Sequence, residues 1–577
     1  MLPKQELLRI TECILQRSIE TRSQYLQKVA ELEHNKLALA HIEPSNAAHV
    51  LAAVTDQQRI IMRQNDRLNI GIVSSYNELV SAHTPYEKYP AIIKQEALAQ
   101  GHSATFIGGV PAICDGVVQG YQGMELSLMS RDIIAMATAI PITCSSSDRI
   151  ILLGTCDKIV PGMLIGALSR GYLPAVFIPS GPMASGITNH EKSTARQEFH
   201  QGKISVEGLL DTECKCYHSA GTCTFYGTAN TNQVMLEALG LQPIDSGLAP
   251  LNDEKWSHVN AITSELLKNH LPKLSDIINE KSIVNACVTW LATGGSTNHT
   301  LHLVAIARAA GILLTWEDID ALSNIVPTIA KIYPNGPCDV NDFHRSGGVS
   351  AIMNTLLSNG LIHAEAIDYS GQRIDEAINS AFHGISDPRI IASFDEPFDK
   401  KAGIKLLQGN LGQGIMKVSA VDPKRRKVVA KARVFETQHA VYEAYQAGEL
   451  FDDVIVVVKN QGAVANGMPE LHKLIPLLGN IYDKGFSVAL VTDGRLSGAS
   501  GKVPAVVHLT PEARKSGPIN NISDGDIIEV DGNLGRINLI GEDISPLNFA
   551  VNDNISDLFD VIRKNMGHAN SGAMSEG

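Results

Sequence analysis

From residue 68 to about residue 300 the chain keeps one rhythm. An apolar, β-rich run ends in a small or polar loop, and a helix-like segment follows. "LNIGIVSSYNE", "IILLGTCDK", "LPAVFIPSGPM" and "IVNACVTWLATGGSTN" all carry it. This alternation predicts an α/β fold with a mostly parallel sheet, because parallel strands need a crossover and the crossover is usually a helix. Such sheets collect ligands where strands end at their carboxyl edge. The strand-end loops are therefore the place to look for chemistry.

At 577 residues the chain is too long for a single hydrophobic core. Residues 1–65 show Leu, Ile and Ala at helical spacing. After about residue 385 the texture changes to short strands such as "KVVAKARVFET", "DVIVVVKNQG", "FSVALVTDGRLSG" and "DIIEVDGNLGRINLI", often joined by tight turns such as Asp531–Gly532. The expected division is 1–385 and 386–577, with "HGISDPRIIASFDEPFDKK" as the linker and the second part β-rich. The tail "GHANSGAMSEG" is expected to be disordered.

The formal net charge is −13 and no long Lys/Arg block occurs, which argues against nucleic acid or an anionic membrane as partner. No uninterrupted apolar run reaches the ~18 residues of a membrane span. The N-terminus "MLPKQELLRITECILQRSIETRSQ" lacks a signal-peptide core, so a cytoplasmic protein is expected. Nine scattered cysteines do not suggest a disulfide framework. Phosphate-binding, dinucleotide, zincin and EF-hand signatures are missing. Cys214 and Cys216 form a C-x-C without a second pair at zinc-finger spacing.

Five loops stand out. "PAICDGVVQG" pairs Cys114 with Asp115, and "GTCDKIVPG" sets Cys156, Asp157 and Lys158 side by side. "HSAGTCTFYGTANTN" carries Cys223, "NGMPELHKL" carries Glu470, and "VTDGRLSGASG" carries Ser497. Each has an ordinary reading. A cysteine after a strand is usually a small core residue, Asp before Gly a turn former, and Ser497 a helix cap. Glu470 could be a surface acid, and Lys158 the partner of Asp157. Two Cys–Asp dipeptides and an isolated acid, all on strand-end loops, weaken that reading for the set. Thiolates suit the iron of an iron–sulfur cluster and carboxylates suit Mg²⁺ or Mn²⁺, so Cys–Asp neighbours could hold two metals side by side.

At these residues the chain resembles the dihydroxy-acid and 6-phosphogluconate dehydratase family. "GGVPAICDGVVQGYQGMELSLMSRDIIAMATA", "GTCDKIVPGMLIGALS", "YHSAGTCTFYGTANTNQ", "NEKSIVNACVTWLATGGSTN", "KNQGAVANGMPELHKL" and "LVTDGRLSGASGKVPA" carry the likeness, which is closest to the phosphogluconate branch. The resemblance implies an N-terminal α/β/α domain, a swivelling C-terminal β-barrel-like domain, and a homodimer with its active site between the domains. It also implies an iron–sulfur cluster of the [4Fe–4S] type and a Mg²⁺ or Mn²⁺ ion. Cys156 and Cys223 match cluster ligands, and Asp115, Asp157 and Glu470 match ligands of the second metal. Lys158 matches a lysine that is carbamylated in some relatives, and Ser497 matches the proposed catalytic base. One departure stands out. The dihydroxy-acid branch supplies a third cluster cysteine from a "PCN" motif, where this chain has Ala82 and His83. Cys114 is the candidate replacement, or else a packing residue.

The activity implied is loss of water from a phosphorylated sugar acid, 6-phosphogluconate. A dehydratase of a plain sugar acid or dihydroxy acid, and a non-catalytic iron–sulfur sensor, remain as other readings. A phosphorylated substrate needs local cations on an acidic chain. "SGITNHEKSTARQEFHQGK" offers Lys192, Arg196 and Lys203, with His83 as a further candidate and Arg495 a positioning group beside Ser497. Charges at such spacing also form solvated helix faces, whose ion pairs contribute little.

Overall fold

The computed structural model describes residues 3–37, 42–64, 66–200, 202–251, 253–419, 421–496, 503–541 and 558–575. The N-terminal residues are helical as expected, in Pro3–His34, Pro44–Ala52 and Asp56–Met62. The first of these buries Leu7, Ile10, Ile14 and Val29 along one stripe, the pattern of a helix laid on a core.

Four strands follow: β1 (Asn69–Ser74), β2 (Ser103–Gly109), β3 (Arg149–Leu153) and β4 (Ala175–Phe177). They form one parallel sheet in the order β2-β1-β3-β4. β1 is buried along its whole length and β3 over all but its first residue. A parallel strand covered on both faces reads as a continuous apolar run, which is why "RIILL" shows no alternation.

Helices Ser127–Cys144 and Ile159–Leu168 pack against each other at close range. A β-carbon at Gly162 would stand 2.6 Å from the Arg131 carbonyl oxygen, and one at Gly166 would stand 2.3 Å from that of Ala135. The glycines thus let the second helix seat deeply. Its first residue follows Lys158 directly, so the packing also fixes the Cys156–Lys158 loop. The stretch Gln122–Cys144 has the length and mean hydropathy of a membrane-crossing helix, but more than half of it is buried inside the fold.

One expectation of a strand fails. "IVNACVTWLA" lies within helix Glu280–Ala292. Asn279 caps it, accepting from the backbone N–H groups of Lys281 and Ser282. The helix is apolar because residues 282–292 are all buried. An all-round apolar run cannot be assigned to strand or helix by periodicity alone, and this one exceeds the usual length of a strand.

The second half forms a closed eight-stranded barrel. Its strands are β5 (Ile404–Gly409), β6 (Gly412–Lys417), β7 (Lys427–Phe435), β8 (Val454–Val458), β9 (Val488–Thr492), β10 (Ala505–Thr510), β11 (Ile527–Asp531) and β12 (Arg536–Ile540). The order is β10-β6-β5-β12-β11-β7-β8-β9. β7, β8 and β9 run parallel, and helices Gln438–Gln446 and Leu474–Asp483 lie between them in sequence. β5–β6 and β11–β12 are antiparallel pairs. Ile455 and Val457 of β8 join the apolar cluster that also holds Leu407, Val491, Val506 and Ile528. Val454, Val456 and Val458 join the main core instead. This is the two-residue period of a strand with both faces covered.

The expectation of a disordered tail is corrected for its described part. Met566 and Ala573 are buried. The Arg131 guanidinium donates to the carbonyl oxygens of Gly572 (2.8 Å) and Ala573 (2.6 Å), and the Ser575 N–H donates to Asp132 (2.6 Å). Small residues allow the close fit, since a β-carbon at Gly572 would sit 2.8 Å from the Ala305 nitrogen. All nine cysteines are free thiols.

Candidate active site

The loop after β3 is held in an uncommon shape. Cys156 has φ 70°, a left-handed conformation that costs a non-glycine residue energy and that clusters at functional sites. Helix Thr228–Ala238 supplies the restraint. The Asn232 side-chain amide donates to the Cys156 and Asp157 carbonyl oxygens, each at 2.9 Å. Its Oδ1 lies 3.0 Å from His299 Nε2. Asn232 therefore fixes where the thiol and the carboxylate of the next residue emerge.

Three carboxylates converge there. Candidate ligand oxygens of Asp115, Asp157 and Glu470 all lie within 4.8 Å of one another. Asp115 follows β2, Asp157 follows β3, and Glu470 lies between β8 and β9, so both halves of the chain contribute. Two cations sit among them. Lys158 Nζ is 2.5 Å from Asp115 and 2.5 Å from Asp157. Arg495 Nη2 is 2.8 Å from Asp115, while its Nη1 is 3.7 Å from Asp157 and 3.6 Å from Glu470. Arg495 is itself held by its Nε, which donates to the Met468 carbonyl at 2.8 Å. Ser127 completes the frame, donating to Asp115 at 2.5 Å and accepting from Arg495 at 3.1 Å.

The three acids differ in protonation. Burial opposes ionisation of Asp157, but Lys158, a contact with His302 and Arg495 hold its carboxyl well below the usual range. Asp115 is lowered against its burial by Lys158 and Arg495. Glu470 goes the other way. Burial pushes it up to about 7, with Arg495 offsetting part and the neighbouring Asp115 and Asp157 adding to the rise.

Three thiols gather beside the acids. Burial raises Cys156 well above the usual thiol range, with Cys114, Cys223 and Asp157 adding to it. Burial and then Cys114 raise Cys223 to about 12. Cys114 is raised by burial and by Asp115, while the nearby backbone of Gly116 and Val117 favours its thiolate. Cys156 thus feels both other thiols, and Cys223 feels Cys114.

The donor set fits both cofactors expected of it. Hard oxygen ligands suit Mg²⁺ or Mn²⁺, and the buried Asp157 Oδ1 atom makes no hydrogen bond, with His302 Nε2 3.6 Å away, which leaves it open to a ligand. The Lys158 ammonium lies between two carboxylates, where a carbamylated amine would instead add a fourth oxygen donor. Soft thiols suit iron.

The remaining candidates are dispersed. Ser497 lies outside the described residues, which stop at Leu496 and resume at Val503. Lys192 hydrogen-bonds the Tyr217 hydroxyl, and Arg196 pairs with Glu213. Lys203 is exposed. His83 is wholly buried. Its Nδ1 is 2.8 Å from Ser75 Oγ, and burial lowers the imidazole to about 4. Ser127, Asn232 and His302 were not singled out from sequence. Buried polar residues crowd helix Thr228–Ala238, and that concentration in "TANTNQ" was the available signal.

Comparison with known proteins follows the same two halves. The dihydroxy-acid/6-phosphogluconate dehydratase N-terminal family matches residues 67–377, and the corresponding C-terminal family matches residues 389–573. A Pseudomonas aeruginosa protein named phosphogluconate dehydratase is 45% identical over 99% of this chain and 98% of its own length. One of the same name from Escherichia coli K12 is 44% identical over 98% of this chain and 99% of its own. A dihydroxy-acid dehydratase from Lachnoclostridium phytofermentans is more distant, 34% identical over 83% of this chain and 87% of its own. Full-length likeness to dehydratases sets aside a non-catalytic sensor, and the chain belongs to the dihydroxy-acid/6-phosphogluconate dehydratase family and is a hydro-lyase.

Proposed function

We propose that this hydro-lyase converts 6-phospho-D-gluconate to 2-dehydro-3-deoxy-6-phospho-D-gluconate, a step of the Entner–Doudoroff pathway, acting as a cytoplasmic homodimer with residues 1–385 and 386–577 as its two domains. The observation that carries the reading is the convergence of Asp115, Asp157 and Glu470 from both halves of the chain. The name shared by relatives at 43–45% identity supports the substrate.

Cys156 and Cys223, with Cys114 as third ligand, would hold a [4Fe–4S] cluster. Asp115, Asp157 and Glu470 would hold Mg²⁺ or Mn²⁺, with Lys158 joining them if carbamylated. When bound, these groups supply Lewis acidity towards the C3 hydroxyl and towards the carboxylate and C2 hydroxyl of the substrate. Arg495 keeps the acids together and sits one residue from the segment that carries Ser497. Ser497 would take the C2 proton as its alkoxide, the form that a metal cation favours. The C3–O bond breaks, the departing hydroxide takes the proton that Ser497 removed and leaves as water, and the enol tautomerises to the 2-keto acid. His83, held neutral by burial, would bring a hydrogen bond rather than a charge to the substrate, and its Nε2 is buried without a partner.

The test is keto-acid formation by anaerobically purified enzyme, with 6-phosphogluconate and plain gluconate compared. Higher kcat/KM for the phosphorylated acid supports the reading. Equal or better turnover of the plain acid, or of a branched dihydroxy acid, contradicts it.

A further inference from the structure

Two buried acids of the barrel half stand outside the carboxylate cluster. Asp493 follows β9 and is wholly buried, and Glu512 follows β10 and keeps 6% of its surface. Among the described residues neither forms an ion pair, and both accept backbone N–H groups instead. Asp493 Oδ1 accepts from Gln461 at 2.9 Å and its Oδ2 from Ala513 at 3.0 Å. Glu512 Oε1 accepts from Val464 and from Ala465, each at 3.0 Å. Such charge-assisted bonds are stronger than neutral ones. Two glycines make room for them. A β-carbon on Gly462 would stand 2.4 Å from the Glu512 carboxyl carbon, and one on Gly494 would stand 2.7 Å from Gln461 Cβ.

These bonds lace residues 461–471, which carry Glu470, to residues 493–495, which end in Arg495. Between the anchors, Arg495 Nε donates to the Met468 carbonyl at 2.8 Å, and the Leu471 N–H donates to the Arg495 carbonyl at 3.0 Å. The His508 N–H donates to the Gly494 carbonyl at 2.8 Å. Gln461 adds its side chain, donating to the Glu436 carbonyl at 2.6 Å and accepting from Asn466 at 3.0 Å. The backbone here is strained. Asn460, Met468 and His508 have φ of 61°, 53° and 58°, a region that non-glycine residues keep only where their surroundings over-determine it. The Asp493 bond falls on the residue after Asn460, and the Glu512 bonds fall between Asn460 and Met468. Burial raises Asp493 to about 6 against its backbone bonds, and burial and then Asp493 raise Glu512 to about 7. Burying two acids without a cation is costly. What a carboxylate offers there is an acceptor on both oxygens.

We infer that Asp493 and Glu512 are positioning residues of the active site, which hold the segments of Glu470 and Arg495 in register from outside the acid cluster and thereby set divalent-ion affinity and turnover. This inference rests on the metal reading of that cluster above. Glu470 and Arg495 are β-bridge partners, with Arg495 Nη1 3.6 Å from the Glu470 carboxylate. A slip of residues 461–471 against 493–495 would carry Glu470 away from Asp115 and Asp157, which belong to the other half of the chain. A misplacement of about 1 Å can cost ~10²-fold in rate. Asp493 needs both oxygens, because its two N–H partners come from different segments. Glu512 needs only one, because Oε1 takes both of its N–H groups.

The test uses the anaerobically purified holoenzyme and its Asp493→Asn, Glu512→Ala, Glu512→Gln and Asp531→Ala variants. Three measurements are made: kcat with 6-phosphogluconate, Mn²⁺ affinity by electron paramagnetic resonance after removal of the resident divalent ion, and melting temperature. Asp531 is the control, a buried acid of the β11–β12 turn that accepts from the N–H groups of Asn533 at 3.0 Å and Leu534 at 2.9 Å. In Asp493→Asn and Glu512→Ala, kcat should fall and the Mn²⁺ Kd should rise, each about tenfold or more. Glu512→Gln keeps the oxygen that matters, so both values should stay within about threefold of the parent. Asp531→Ala should melt earlier yet keep both. Parental kcat and Mn²⁺ affinity in Asp493→Asn and Glu512→Ala overturn the inference and leave the metal reading intact. A loss in Asp531→Ala that matches theirs overturns it too, since general stability would then explain the effect. A parent enzyme that binds no Mn²⁺ overturns the metal reading instead, and kcat alone then upholds or overturns the positioning role.

Discussion

At the proposed metal site a proton competes with the divalent ion for Glu470. In the metal-free protein its carboxyl titrates at about 7, so below that pH the proton must leave before the oxygen can bind. The sign follows from competition between proton and metal for one oxygen. Apparent Mg²⁺ or Mn²⁺ affinity should rise by up to about tenfold per pH unit as pH climbs towards 7, and level off above it. Titration of the metal at pH 6, 7 and 8 checks this. Glu470→Gln should bind more weakly and lose most of the slope, whereas a slope that persists would assign the titration to another group. Ser497 has its own test. Ser497→Ala removes one oxygen, so cluster and metal should remain while the rate falls ~10²–10⁴-fold, the usual cost of a lost acid–base group. Exchange of the C2 proton with solvent deuterium should stop as well. Continued exchange would place the base elsewhere.

At the scale of elements, helix Thr228–Ala238 is the frame of the site. Asn232 ties two carbonyls of the Cys156–Lys158 loop to it. Asn232→Ala leaves both carbonyls buried without that donor, at a cost of about 2–4 kcal/mol. Lost restraint on Cys156 should lower iron content at the same time, which thermal unfolding and iron analysis together can read. Full iron content at parental stability would remove Asn232 from the frame. How much could be read beforehand depended on the kind of signal. Parallel strands and their loops were legible because continuous apolar runs end in small polar segments. The Cys–Asp dipeptides were legible because a soft and a hard ligand stand side by side. Asn232 and Ser127 were not, since each acts on a partner distant in sequence. The run "IVNACVTWLA" gives no helical signal because total burial erases the period. Ser497 rests on the resemblance alone and lies outside the described residues.

Over the whole molecule, both ends of the chain close on the N-terminal half. The barrel reaches across through Lys417, whose amine donates to the Gly294 carbonyl at 3.0 Å. The tail returns to Arg131, a fully buried cation. Arg131→Ala leaves Asp132 without its cation and two carbonyls without donors, a loss of about 3–5 kcal/mol. The variant should unfold at lower denaturant, and its last ten residues should become open to carboxypeptidase. A tail that remains protected would mean that apolar contacts of Met566 and Ala573 suffice. Small polar residues suggested disorder there, yet the smallness of Gly572 and Ala573 is what permits the tail to reach Arg131.

The central claim is that neighbouring side chains serve two different metals at one dehydratase centre. Metal analysis of anaerobically purified Cys156→Ser and Asp157→Asn, beside the parent and with folding checked by circular dichroism, tests it most directly. Cys156→Ser should lose iron and the brown chromophore, because a hydroxyl replaces a soft thiolate poorly. Asp157→Asn should keep iron but lose the tightly bound divalent ion, and both variants should lose turnover of 6-phosphogluconate. Parental iron in Cys156→Ser, or parental divalent-ion binding and turnover in Asp157→Asn, would contradict it.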